Sequence, residues 1–226
     1  MTIARGKPYN SVARISFNSS IASAIMERGI AYTWGSTLEE RQMSFPCDCY
    51  MGNSDEAYFR AISVEAPVEI LFRWLCQLKA GSYSYDWIDR LEGVFFQVDE
   101  SISQHPSPKQ LLPGLENLAP NQRVMGIFKL VEFEPNRHLT IILDDEQAIS
   151  IFGDIAASYV VLPIAQNSCR LILKGLIRYP RNSFWSWMRY ILPWGDLLMM
   201  RQQFLRLKSL AQFQFTGCSE VTNSLH

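Results

Sequence analysis

From Ala57 onward the apolar residues fall into two rhythms. Tyr58-Phe59-Arg60-Ala61-Ile62-Ser63-Val64-Glu65 is a strand-length run closed by Ala66-Pro67. Pro67 suits the first turn of a helix, where a missing N–H costs nothing. Val68, Leu71, Phe72, Leu75 and Leu78 then recur at helical spacing up to Gly81, a residue suited to the position past a helix end. A second short helix is expected over Tyr85 to Leu91. Four prolines and a glycine between Ser101 and Asn121 predict a long loop. Four strands follow, over Arg123–Phe133, His138–Leu143, Ala157–Ile164 and Cys169–Tyr179. In the last, Leu171, Leu173, Gly175, Ile177 and Tyr179 alternate with Arg170, Lys174 and Arg178. That period of two predicts an antiparallel sheet with one solvated face. The chain closes with a long helix, roughly Asp196 to Phe213, whose apolar stripe is Leu197, Met200, Phe204, Leu207 and Ala211. Asp196 at its start would meet the positive end of the helix dipole. The order of elements is α+β.

Residues 1–56 carry mixed signals and too few apolar positions for a core of their own. They are expected to pack on the main domain, 57–215, with 216–226 as a tail. The composition fits this picture: 226 residues, 48% hydrophobic and 19% charged, with 21 cations against 22 anions. A net charge of -1 argues against nucleic acid, which needs a basic surplus on one face. The first eight residues lack the apolar run of a secretory signal, and Phe184 to Met200 is interrupted by Arg189, Pro193, Gly195 and Asp196. A cytoplasmic protein with reduced thiols is expected. Cys47 and Cys49 have the spacing of a metal half-site, but no second Cys/His cluster supplies the other ligands, so neither a metal nor a cofactor is expected.

Several segments resemble the START-like helix-grip superfamily (SRPBCC), which includes polyketide cyclases, pollen-allergen-type proteins and lipid-transfer domains. They are Arg60 through Glu69, Trp74-Leu75 with Gln77, and Tyr83-Ser84-Tyr85-Asp86-Trp87-Ile88-Asp89. Trp34-Gly35-Ser36-Thr37-Leu38-Glu39-Glu40 and Gly195-Asp196-Leu197-Leu198-Met199-Met200-Arg201 are similar to a bacterial branch carrying the same Tyr-Ser-Tyr-Asp-Trp segment. The resemblance spans about residues 34 to 213. Cys47 and Cys49 depart from it, standing where that branch carries Gly and an acidic residue. The resemblance implies a curved antiparallel sheet wrapped around the C-terminal helix, with two short helices after the first strand and an apolar cavity between sheet and helix. It implies no reaction, because fold alone does not fix function.

The expected function is binding of a hydrophobic small molecule or lipid in that cavity without chemistry; a cyclase or dehydratase using the same cavity is the alternative. The expected ligand contacts are Tyr83, Tyr85, Asp86 and Trp87 at the mouth, and Leu173, Gly175, Ile177, Met200 and Phe204 along sheet and helix. Each has a plain alternative: Asp86 as a helix cap, Trp87, Met200 and Phe204 as core. No nucleophile stands beside a base, so no catalytic residue is assigned. Acid–base chemistry would fall to Asp86, Asp89 or Glu132. Phe184, Trp185, Trp187, Met188, Tyr190, Ile191, Leu192 and Trp194 lie beside Arg178, Arg181 and Arg189. That cluster suits a lid over the cavity, a packed junction with the N-terminal extension, or peripheral contact with a membrane.

Overall fold

The computed structural model of the protein describes residues 29–83, 108–181 and 187–223. Its elements are α1 (Ile30–Thr33), α2 (Leu38–Gln42), a 3-10 turn (Pro46–Cys49), β1 (Glu56–Val64), α3 (Val68–Cys76), a 3-10 turn (Gln77–Lys79), β2 (Arg123–Val124), β3 (Phe128–Glu134), β4 (His138–Leu143), α4 (Glu146–Phe152), β5 (Asp154–Ala165), β6 (Ser168–Arg178) and α5 (Met188–Asn223). The six strands form one antiparallel sheet in the order β1-β6-β5-β4-β3-β2. Strands β2 to β6 are a meander, and β1 returns to pair with the last of them. Helix α5 crosses one face of this sheet, and α3 packs beside it. This is the helix-grip α+β architecture.

The core lies between the sheet and the two helices. Leu171 and Leu173 of β6 join Tyr159 and Val161 of β5, Leu139 and Ile141 of β4, Leu71 and Leu75 of α3, and Phe204, Leu207 and Ala211 of α5. Period-two alternation sets the register, since a slip of one residue would exchange the two faces. Arg170, Lys174 and Arg178 accordingly point away from α5.

The second face is not solvated as the alternation predicts. Between the cations sit Ile172 and Leu176, both buried, and they pack with Phe45, Cys47, Met51, Phe59, Ala61 and Ala156. Residues 40–51 cover this face, and two of the cations are ion-paired to that segment, Arg170 Nε to Glu40 Oε1 at 2.6 Å and Lys174 Nζ to Asp48 Oδ1, while Arg178 pairs with Asp154 of β5. An apolar row flanked by cations thus binds a segment that supplies apolar side chains and matching carboxylates.

Two further elements differ from expectation. The strand over Arg123–Phe133 is divided by a tight turn in which Met125 and Gly126 take φ of 49° and 77°. Helix α4 was not anticipated. The Asp145 side chain caps it by accepting from the Ala148 N–H at 2.9 Å. Gly153 ends it at φ 87°, where a Cβ would collide with the Arg178 carbonyl. The short helix expected over 85–91 lies outside the described residues.

Candidate functional site

The residues expected to line the cavity divide between two ends of the sheet–helix interface. At one end the space is filled by side chains. Phe204 is fully buried, its ring 6.4 Å from that of Trp34 and 6.3 Å from that of Tyr159. Leu173 belongs to the same cluster and Met200 packs against it. Tyr83, buried at φ 55°, meets the Trp74 ring edge-on at 6.4 Å, and burial pushes its phenol pKa upward. Tyr85, Asp86 and Trp87 lie outside the described residues, as does Asp89.

Toward the other end of β6 two neighbouring helix-facing positions, Gly175 and Ala157, are small. Gly175 faces the helix with Ala157 of β5 on one side and Tyr58 of β1 on the other. Among the described residues, a Cβ added at Gly175 would meet only Leu173 Cδ2 at 3.8 Å, an ordinary contact. Ile177 and Ile155 continue the same face, so this stretch of sheet is apolar and low.

Polar groups that the sequence reading did not single out border it. Arg60, on the helix-facing side of β1, is fully buried. One of its terminal nitrogens donates to the Phe59 carbonyl at 2.9 Å. The other donates to the Ala31 carbonyl at 2.8 Å and to Asp196 Oδ2 at 2.5 Å. Asp196 is not at the helix start, as expected, because α5 begins at Met188 and takes Pro193 within it. The carboxylate therefore compensates a buried cation instead of a helix dipole. Its side chain is 23% exposed, and burial raises its pKa even against the pull of Arg60. Beside the pair, the Tyr58 and Tyr179 hydroxyls lie 2.7 Å apart, and the Tyr179 O–H is 3.0 Å from Glu56 Oε2. Tyr159 donates to Gln203 Oε1 at 2.8 Å. Burial pushes all three phenols up, so they remain neutral hydrogen-bonding groups. The signal for this cluster was an arginine in an otherwise apolar strand run, a charge that must be paired if buried.

Other candidates fall elsewhere. Glu132 pairs across the ladder with Thr140, on the face away from α5, and accepts from the Tyr50 O–H at 3.1 Å. It is not an acid within the grip. Cys47 is buried, its backbone N–H donating to Ser158 Oγ at 2.8 Å and its thiol to the Lys174 carbonyl at 3.6 Å, whereas Cys49 is exposed. The two sulfurs point to different surroundings and do not form a half-site. A groove of 480 Å³ opens on the covered sheet face, lined by Arg41, Asp48, Met51, Phe59, Lys174 and Leu176 among others. Most of its charges are spent on the fold: Asp48 binds Lys174, Asp55 accepts from the Tyr179 N–H, and Glu56 from the Tyr179 hydroxyl. In the aromatic cluster, Trp187, Tyr190, Ile191 and Trp194 are exposed, and Phe184 and Trp185 lie outside the described residues.

No protein-family model matches the chain, and no curated protein matches it. Among solved structures, it is similar to the di-domain ARO/CYC BexL from the BE-7585A biosynthetic pathway, at 11% identity and a TM-score of 0.40 over 70% of this chain. The match spans 46% of that longer protein. It is also similar to the Zhui aromatase/cyclase from Streptomyces sp. R1128, at 8% identity and a TM-score of 0.40, covering 71% of this chain and 93% of that one. Norcoclaurine synthase from Thalictrum flavum, in complex with dopamine and hydroxybenzaldehyde, shares 9% identity and a TM-score of 0.36 over 69% of this chain and 85% of its own.

Proposed function

We propose that the protein binds a hydrophobic small molecule or lipid between the sheet and α5, over the low stretch of β5 and β6. The observation that carries this reading is Gly175. A helix-facing strand position in the middle of a sheet normally holds a side chain that fills the interface. Here the nearest described atom to an added Cβ stands off at van der Waals distance. Ala157 beside it and Ile177 beyond it give an apolar floor, and the Arg60–Asp196 and Tyr58–Tyr179 pairs give a polar border that would orient a ligand. Leu173 continues the floor toward the filled end, with Met200 and Phe204 as its boundary and Tyr83 further along. A second reading, cyclase-type chemistry in the same space, rests on Asp196, a partly exposed carboxyl whose pKa is raised by burial.

Nile red titration tests the binding reading. Gly175→Leu would fill the floor, and its backbone φ permits a side chain. The variant is expected to lose most of the Nile red signal while keeping the far-ultraviolet circular dichroism of the parent. Ile191→Glu/Trp194→Glu, on the outer surface of α5, is expected to keep the signal. A Gly175→Leu protein that is folded and binds the dye like the parent would overturn the proposal.

A further inference from the structure

The outward face of α5 has the pattern of a helix–helix seam. Trp187, Tyr190, Ile191, Trp194 and Leu198 are between 48% and 75% exposed. The Tyr190 N–H donates to the Trp187 carbonyl at 3.1 Å, so Trp187 already follows the helical path. At about 100° per residue these positions share one stripe along the first turns, and Arg201, also exposed, comes next on it. Contiguous apolar surface of this kind is costly to leave hydrated.

The row is complementary to its own reverse. Reflected about Trp194, Tyr190 falls on Leu198 and Trp187 falls on Arg201. Two copies of the helix laid antiparallel about a two-fold axis at Trp194 would set indole against indole at the centre. On either side Tyr190 would meet Leu198 of the second copy. At the ends Arg201 would reach the indole face of Trp187 of the second copy, a cation on an aromatic ring. A two-fold interface requires this property, because one patch must complement itself. The area is also of the right order. An aromatic side chain buries roughly 150–250 Å². At the observed exposures, three rings and two aliphatic chains offer on the order of 600 Å². Arg201 extends this toward the about 800 Å² per partner of a standard interface.

We infer that this stripe is the interface of a homodimer, in which two copies of the chain pair antiparallel through the first turns of α5. The aromatic and aliphatic positions lie at the centre of the patch and the arginine at its edge, which is the anatomy of a protein interface. The sheet and α3 hold the inner face of α5 in place, so pairing orders side chains and no new backbone. A net charge of -1 leaves little repulsion between two copies. A different partner would not require the row to match its own reverse. That match is what assigns the stripe to a second copy.

Sedimentation velocity of the full chain over a wide range of concentration is the first test. The parent is expected to sediment at twice the chain mass and to dissociate on dilution, its tryptophan emission shifting to the red as it does. Ile191→Glu/Trp194→Glu should be monomeric throughout, with the circular dichroism and Nile red binding of the parent. Cross-linking then reads the register, in a background carrying Cys49→Ser and Cys218→Ser. With oxidised glutathione, Tyr190→Cys/Leu198→Cys should give a covalent dimer, and Tyr190→Cys or Leu198→Cys alone should not. A monomeric parent overturns the proposal, whether acrylamide quenching then shows the stripe covered within the same chain or open to another partner. A dimer that survives Ile191→Glu/Trp194→Glu overturns it by placing the interface elsewhere. Single cysteine variants that cross-link, or a double variant that does not, overturn the antiparallel pairing.

Discussion

Arg60 is the residue whose environment asks most of the fold. A guanidinium with no exposure must be compensated, and here two backbone carbonyls and one carboxylate do so. The pair is lopsided, because Asp196 keeps access to water. Removing the carboxylate strands a buried cation, whereas removing the cation leaves a carboxylate that can hydrate. Asp196→Ala is therefore expected to cost about 3–5 kcal/mol, and Arg60→Met clearly less, measured by urea denaturation. Equal losses would show that the pair is as wet as a surface bridge. The thiols make a second residue-scale prediction. Burial pushes Cys47, Cys76 and Cys169 up to about 11, above the unfolded value of about 8.5. A group whose folded pKa is raised stabilises below its unfolded pKa and loses that contribution as pH rises through the folded one. The melting temperature should accordingly hold to about pH 8.5 and then fall toward pH 11, the buried tyrosines adding to the decline. Cys47→Ala should flatten that decline, and an unchanged profile would place its sulfur in contact with water.

The elements show where sequence alone carried and where it did not. Strand β6 and helix α3 were legible because their burial partners impose a periodicity on consecutive residues. In β6 the same row also held the missed signal: Ile172 and Leu176 alternate with Arg170, Lys174 and Arg178, a parity too apolar for a solvated face. What covers them comes from more than a hundred residues earlier, and no local pattern encodes that pairing. Helix α4 was missed because its seven residues offer too few turns for periodicity, and its cap and stop act at the ends. In the candidate site, Leu173, Gly175 and Ile177 were placed on the correct face by alternation, while Arg60 and Asp196 meet only in three dimensions. The covering segment also depends on one exposed residue. Gly35, at φ 73°, turns the chain from α1 into α2, and a Cβ there would strike the Ala61 carbonyl. Gly35→Ala is expected to cost more than about 2 kcal/mol, whereas Gly52→Ala, with nothing near it, should be close to neutral. Chemical denaturation of the two variants checks this, and similar midpoints would mean the loop relaxes freely.

At the scale of the whole molecule, α5 presents two different stripes. The inner stripe of α5 closes the core through Phe204, Leu207 and Ala211, and the outer stripe exposes Tyr190, Ile191, Trp194 and Leu198. Helix α5 also connects the two ends of the chain's architecture. Trp74 Nε1 donates to Gln214 at 2.9 Å near its end, and Asp196 holds β1 near its beginning. Displacement of the helix from the sheet would break both contacts at once.

The strand order sets a timetable for the folding chain. Strands β3 to β6 find their partners through short connections, but β1 pairs Glu56 with Ile177 and Val64 with Cys169. Loop closure over such a separation is slow compared with hairpin formation. During synthesis the nine residues of β1 leave the ribosome long before β6 exists. Until then Tyr58, Phe59 and the unpaired Arg60 have no interior to enter, and the apolar row is open to neighbouring chains. The meander would form first and β1 would seat last, carrying its arginine into a site that α5 completes only once Asp196 has been made.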